Sequence, residues 1–263
     1  MKLIDFHAHI YPEKIAEKAT NSIEVFYDFA ANHIGTKEEL KSASRKAGIG
    51  LTVILPVAVK PSGVVHINDF ALRTQAEDDE FLSFGTIHAG MENILEETER
   101  IVKMGLHGIK IHPDTQLFDI DDERMLPVYD YIAGKIPLIA HTGDPRHPYS
   151  HPEKLKRVMK MFPSLVTVAA HFGGWAMPDT GADVLTEMDN CFVDLSSTFY
   201  LFSIEKGNEL ISRFGEDRVL FGSDFPLGCP IQEKENLMKL SLSDSGREKI
   251  AYKNAEHLLN IKL

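Results

Sequence analysis

Cysteine, long apolar runs and surplus basic charge are what this chain has least of. Its two cysteines, Cys191 and Cys229, cannot build a disulfide framework, and thiols used this sparingly fit a reducing compartment. No stretch of about 18 consecutive apolar residues occurs, so no membrane-spanning helix and no membrane partner are expected. Met1-Lys2 runs directly into an apolar strand without a secretory leader, which predicts a cytoplasmic protein. Basic residues number 28 against 39 acidic ones, a formal net charge of −11. A phosphate backbone needs a basic surface, so a nucleic-acid partner is excluded; a small anionic substrate, which feels only the local field, is not. Low-complexity tracts and Gly/Ser linkers are missing too, and residues 1–263 read as one domain.

What is present is an alternation of apolar strand-like runs with amphipathic helical stretches. Strands are predicted at Leu3–His9, Ile49–Val59, Phe81–Ala89, Leu106–His112, Ile136–Thr142, Leu165–His171, Cys191–Ser197 and Arg218–Asp224. Helices are predicted at Pro12–Thr20, from the Thr36/Glu39 capping box to Ala47, and at Val64–Glu77, Glu92–Met104, Asp121–Gly134 and Pro152–Phe162. Further helices follow near Ala182–Asp189, Ser203–Phe214, Gln232–Leu240 and Asp244–Leu259. Eight strand-helix repeats in 263 residues match the roughly 250 residues of a (β/α)₈ barrel. An open doubly wound sheet would carry a glycine-rich phosphate turn after an early strand, and His9-Ile10-Tyr11-Pro12 is nothing of the kind. The fold class predicted is α/β, a (β/α)₈ TIM barrel.

Active sites of such barrels lie at the C-terminal ends of the strands. Those ends carry His7, His9, His88, Lys110, His112, His141, His171 and Asp224, so six of the twelve histidines fall there. His7 and His9, two apart on a strand, would project to one side about 6–7 Å from each other and could lean onto one metal ion. Lys110 faces either the barrel interior, where an unpaired ammonium is expensive, or the outside. Packing or capping roles stay open for His88, His141, His171 and Asp224. Arg146, in the loop after His141, is either a solvated loop residue or a bidentate clamp for a substrate carboxylate. The aromatic residues Phe26, Tyr27, Phe29, Trp175, Phe199, Tyr200 and Phe202 follow strand ends and read as a lid, as core, or as the seam of a homodimer.

Five motifs, in order, carry a resemblance: Ile4-Asp5-Phe6-His7-Ala8-His9, Gly108-Ile109-Lys110-Ile111-His112-Pro113, His141-Thr142-Gly143, Ala170-His171-Phe172-Gly173-Gly174 and Phe221-Gly222-Ser223-Asp224-Phe225-Pro226. Together they are similar to those of the amidohydrolase superfamily, specifically its amidohydrolase-related branch of metal-dependent hydrolases and decarboxylases. The resemblance implies a metal surrounded by His7, His9, His141 and Asp224, with His171 acting on substrate or on water at the metal. It also implies that a fourth-strand lysine is carboxylated in binuclear members, the place Lys110 occupies in the strand count. Three imidazoles and a carboxylate suit Zn²⁺, with Mn²⁺, Fe²⁺ and Co²⁺ as alternatives. Asp224 would then move a proton, His171 would polarise a carbonyl, and Asp5, Asp194 and Ser196 are candidates to accept from the ligating imidazoles. Substrate contacts are expected from Lys110, His112, Arg146 and Trp175.

Three functions compete on this basis. The first is hydrolysis of an amide, ester or lactone-like bond of a small molecule. The second is non-oxidative decarboxylation, or hydration, of a small unsaturated or aromatic carboxylic acid. The third is a metal-binding barrel without turnover.

Overall fold

Parallel pairing organises the chain, which a computed structural model describes over its whole length, Met1–Leu263. The paired segments are β1 (Ile4–Ala8), β2 (Leu51–Ile54), β3 (Phe81–Ser83), β4 (Gly85–Thr86), β5 (Ile109–Ile111), β6 (Leu138–Ala140), β7 (Thr167–Ala169), β8 (Cys191–Asp194) and β9 (Val219–Leu220). β3 and β4 are one stave interrupted at Phe84, so the staves number eight, as predicted. They pair as β1-β2-β3 and as β4-β5-β6-β7-β8-β9. Backbone hydrogen bonds seal both seams: the Phe84 N–H donates to the Ile54 carbonyl at 2.9 Å, and the Phe6 N–H to the Phe221 carbonyl at 2.8 Å. The sheet therefore closes on itself as an α/β barrel.

The helices are α1 (Glu13–Tyr27), α2 (Lys37–Ala47), α3 (Val64–Glu77), α4 (Ile94–Lys103), α5 (Pro113–Gln116), α6 (Leu126–Ile132), α7 (Pro152–Met161), α8 (Pro178–Leu185), α9 (Ile204–Phe214), α10 (Pro230–Lys239), α11 (Asp244–Glu248) and α12 (Asn254–Leu259). A core of 41 buried apolar residues lies between staves and helices. The Thr36 hydroxyl caps α2 by accepting from the Glu39 N–H, as the capping box requires.

Among the elements whose extent differs from expectation, four have a local cause. α1 runs on to Tyr27, because nothing between Asn21 and Phe26 breaks a helix, and it ends on Asp28 in the left-handed region at φ 54°. Pro113 starts α5 instead of merely stopping the strand, its fixed φ suiting the first helical position. Pro178 does the same for α8, which therefore begins before Ala182. The predicted helix at Asp244–Leu259 carries a π-helical stretch over Lys249–Lys253 between α11 and α12.

One irregularity positions the site. In β1 the register against β2 slips by one residue between Asp5 and Ala8, the mark of a β-bulge. Simple alternation would put Phe6 and His7 on opposite faces. The extra residue turns both inward. Ile4 and Phe6 join Val53, Phe84, Ile139, Val168 and Leu220 in an apolar plug in the lower barrel, while His7 and His9 face the rim above it. Room for His7 comes from Gly222, where an added Cβ would lie 2.8 Å from the His7 Cβ and 3.2 Å from the Ser196 Cβ.

Gly222→Ala is therefore expected to lower unfolding stability by about 1–3 kcal/mol through overpacking. Gly63→Ala, whose Cβ meets nothing nearer than 3.6 Å, should stay within about 0.5 kcal/mol. Urea unfolding measures both, and equal stability of the two variants would contradict the packing described.

Candidate active site

Side chains from six staves or their following loops converge at the rim above the apolar plug. The Nε2 atoms of His7 and His9 lie 3.1 Å apart. Asp224 Oδ1 is 3.6 Å from His7 Nε2 and 3.2 Å from His9 Nε2. Ligands about 2.1 Å from one ion at tetrahedral or octahedral angles sit about 3.0–3.4 Å from each other, so the three atoms fit a single cation.

The opposite nitrogens are tied off. His7 Nδ1 donates to Asp194 Oδ2 at 2.9 Å, His9 Nδ1 to the Leu55 carbonyl at 2.6 Å, and His171 Nδ1 to the Ser196 carbonyl at 3.0 Å. A proton held on Nδ1 leaves an Nε2 lone pair facing the centre, the tautomer a metal ligand needs. Asp194 Oδ1 meanwhile accepts from the Ser196 hydroxyl and from the His171 and Ser196 N–H groups, each at 3.1 Å. Despite burial, the neighbouring imidazoles and these donors hold the Asp194 carboxyl well below the usual range. Asp5 touches no imidazole; it accepts from the His7 N–H at 3.1 Å and from Ser223.

Asp224 uses both oxygens, Oδ1 toward the histidines and Oδ2 accepting from the Ser197 hydroxyl. Burial opposes its charge, but the His9 contact and the fields of His7 and His171 keep it anionic, far below the usual carboxylate range. Burial and the Lys110 charge push His7 down to about 3. Burial also lowers His112, His141 and His171.

Lys110 points inward: it is buried, its Nζ 3.4 Å from His7 Nε2, and desolvation brings it down to about 8 against the pull of Asp194 and Asp224. His141 approaches through Nδ1, 3.1 Å from His171 Nε2. Its candidate ligand grouping is with His112 and Asp114, distinct from the grouping of His7, His9 and Asp224. The His112 and His141 rings stack at 4.0 Å and 6°. His88 lies apart, half-buried against Phe118.

Two sequence expectations change in detail. With its Nδ1 proton committed to Ser196, a neutral His171 presents an acceptor, so polarising a carbonyl by donation is not open to it in this tautomer. Arg146 sits at the mouth, but its fork is already filled: Nε and NH2 donate to the Asp144 carboxylate at 2.7–3.2 Å, and NH1 donates to the Phe26 carbonyl at 3.0 Å. Its guanidinium packs 5.0 Å from the Trp175 ring centre. The aromatics of α1 do cover the rim. Tyr27 lies 4.8 Å from Trp175, and its hydroxyl is 2.7 Å from His112 Nε2 and 3.4 Å from His141 Nδ1. Phe29 stacks on Tyr200.

Sequence reasoning missed Asp114, which α5 folds back beneath His141, and the partnership of Ser197 and Tyr200 (3.0 Å between hydroxyls) behind Asp224. An aspartate just after the His112-Pro113 strand end was the available signal for the first. No helix is long and apolar enough to cross a membrane.

A family model described as amidohydrolase matches residues 4–261. None of the curated proteins compared matches at a significant level. Among solved structures, a TIM-barrel protein from Bordetella bronchiseptica is similar at 22% identity, with a TM-score of 0.82 and 99% of each chain covered. A 5-carboxyvanillate decarboxylase from Sphingomonas paucimobilis is similar at 15% identity, with a TM-score of 0.76 and 99% of each chain covered. A dihydroxybenzoic acid decarboxylase from a Polaromonas species, solved with bound manganese and the inhibitor 2-nitroresorcinol, is similar at 15% identity with a TM-score of 0.74, covering 98% of this chain and 97% of that one. At these identities the likeness establishes the barrel.

Histidine nitrogen NMR on chelator-treated protein at pH 7 should find His7 and His171 neutral with the proton on Nδ1. Because burial holds these imidazoles below their unfolded value of about 6.5, the unfolded chain binds more protons below that pH. Metal-free protein should therefore lose stability as pH falls from about 6.5 toward the value of about 3 for His7. A urea midpoint unchanged between pH 7 and 5 would contradict the burial of neutral imidazoles.

Proposed function

The chain belongs to the amidohydrolase family, whose members are metal-dependent enzymes, and from that premise we propose that it hydrolyses an amide, ester or lactone-like bond of a small molecule. The observation that carries this reading is the convergence of His7 Nε2, His9 Nε2 and Asp224 Oδ1 within 3.1–3.6 Å, with Nδ1 of each histidine tied off behind. Zn²⁺ suits this nitrogen-rich set, and Mn²⁺, Fe²⁺ or Co²⁺ would be accepted by the same donors. His141, through Nδ1, is the remaining candidate ligand. A cation held there lowers the pKa of coordinated water to about 7 and polarises a carbonyl.

The chain's own groups divide the remaining work. Asp224 is anionic and can accept a proton at Oδ2, where the Ser197 hydroxyl is placed to respond; it then returns that proton to the leaving group. His171 Nε2 offers a second acceptor beside it. Lys110, a buried cation 3.4 Å from His7, favours negative charge developing at the centre. Tyr27, Trp175 and His112 line the approach and exclude water from a ring-bearing substrate.

A second reading is decarboxylation of a small aromatic or unsaturated acid. Two observations favour it: the Sphingomonas and Polaromonas neighbours are named as decarboxylases, and Lys110 could hold a carboxylate. Arg146 is a weaker candidate for that role because Asp144 occupies its fork. Under this reading Arg146→Ala shifts KM for an acid only modestly, by way of the loop it braces.

Metal-loaded protein assayed against ester, lactone and hydroxybenzoate panels separates the two. Hydrolysis of a neutral substrate is expected, abolished by chelation and by His9→Asn, and reduced about 10²–10³-fold in kcat by Asp224→Asn. Carbon dioxide release from an aromatic acid with no ester or lactone turnover would replace the first reading by the second. No turnover in either panel by protein that retains its metal would support a binding barrel instead.

A further inference from the structure

We propose a second cation site, formed by His112, Asp114 and His141, beside the one formed by His7, His9 and Asp224. Two of its three residues lie outside the metal set that the family resemblance implies. The inference rests on the reading of the rim as a metal centre, yet its own evidence is separate.

That evidence is four buried polar atoms without a hydrogen-bond partner: His112 Nδ1, His141 Nε2 and both carboxylate oxygens of Asp114. The Asp114 side chain is fully buried, and burial raises it to about 6 against the opposing pull of nearby Ser150. A native interior leaves only a few such atoms, because each costs about 1–3 kcal/mol without a partner; four of the six in this chain fall on these three residues. Unpartnered polar atoms on three residues that can group around one ion call for a ligand. His141 Nε2 and Asp114 Oδ2 stand 3.7 Å apart, too far for a direct hydrogen bond. The same separation lies well within the reach of two ligands about 2.1 Å from one ion. One donor atom from each of the three residues falls within 4.8 Å of the others.

The remaining ring nitrogens are arranged accordingly. His112 Nε2 is 2.7 Å from the Tyr27 hydroxyl, to which it can donate, leaving Nδ1 as a lone pair. The two rings stack at 4.0 Å and 6°, and His141 Nε2 stands 3.7 Å from Asp114 Oδ2. α5 supplies the fold-back, since Pro113 starts a helical turn that brings Asp114 under the strand it has just left. Two imidazoles and one carboxylate suit Zn²⁺, Co²⁺ or Mn²⁺. If both sites fill together with His141 Nδ1 on the first ion, that ring bridges as an imidazolate, and the second cation displaces its remaining proton into solvent.

The experiment is titration of Co²⁺ alone into chelator-stripped protein, counting bound metal after gel filtration and recording the visible absorption of the bound ion. Wild type should hold two ions. Asp114→Asn and His112→Gln should each hold one, with folding checked by circular dichroism, while His9→Asn should also hold one but with the spectrum of the other site. Two ions retained in both Asp114→Asn and His112→Gln would overturn the proposal. So would a single ion in wild type that both variants keep, the result expected if Asp114 only orients His141 through water. A single ion lost in Asp114→Asn but kept in His9→Asn would sustain this site and sink the other. No ion in any form would sink both.

Discussion

The junction between the first and last staves is the constraint on which everything at the rim depends. Asp5 accepts from the His7 N–H, the Ser223 N–H and the Ser223 hydroxyl, at 3.1, 2.9 and 2.5 Å. Burial raises its carboxyl to about 7, so the group persists there only because three donors reward it. Two residues further on, the Asp224 N–H donates to the His7 carbonyl at 2.8 Å. Residues at opposite ends of the sequence are thus fixed by backbone bonds before either side chain meets a ligand. The bulge in β1 then lets Phe6 serve the apolar plug while His7 serves the rim, and Gly222 leaves the space His7 needs.

The same economy explains how a barrel tolerates so many polar groups at its mouth. The Nδ1 atoms of His7, His9 and His171 are satisfied by acceptors, one a carboxylate and two backbone carbonyls. Backbone strain accumulates beside them: His171, Ser197 and Asp224 all adopt positive φ, between 56° and 59°. Each such residue costs of order 1–3 kcal/mol, a load that persists only where surroundings over-determine it. All three follow staves in the adjoining run β7-β8-β9, and all three bear on the Asp224 side of the site. The arrangement spends stability to aim donors that unstrained strand ends would point elsewhere.

Much of this was legible in the chain. Apolar runs ending in histidine, lysine or aspartate gave the eight staves and placed His7, His9, Lys110, His112, His141, His171 and Asp224 at one rim. What escaped has physical reasons. Of the three residues named as acceptors for the imidazoles, Asp194 and Ser196 take that role, Ser196 through its carbonyl, and Asp5 does not; the Leu55 carbonyl behind His9 carries no sequence signature and was not foreseen. A proline after a strand reads as a stop, yet at the first position of a helix it is a start, which hid α5 and with it Asp114. Strict two-residue alternation concealed the bulge. For Arg146, an aspartate two residues earlier competes for the guanidinium at short range, and local pairing prevailed over a reach toward the centre.

The balance of charge at the rim bears on which chemistry it suits. Asp194 and Asp224 are held as carboxylates, and Lys110, brought down to about 8, is mostly protonated at neutral pH. Asp114, raised only to about 6, is largely ionised as well, so with the imidazoles neutral one divalent ion leaves the centre close to neutral overall. In hydrolysis of a neutral substrate the cation and Lys110 meet new negative charge only as an oxyanion develops, so the attraction is stronger in the transition state than in the ground state, the condition for raising kcat. In decarboxylation the counter-charge arrives with the substrate and is dispersed as carbon dioxide departs, so an equal field binds the ground state first and must be offset by delocalisation within the substrate itself. An aromatic acid with an adjoining oxygen substituent provides such delocalisation; an aliphatic acid does not. Hydrolysis therefore asks this rim to stabilise a charge that appears during the reaction, whereas decarboxylation asks it to bind a charge already present and leaves its dispersal to the ring of the acid.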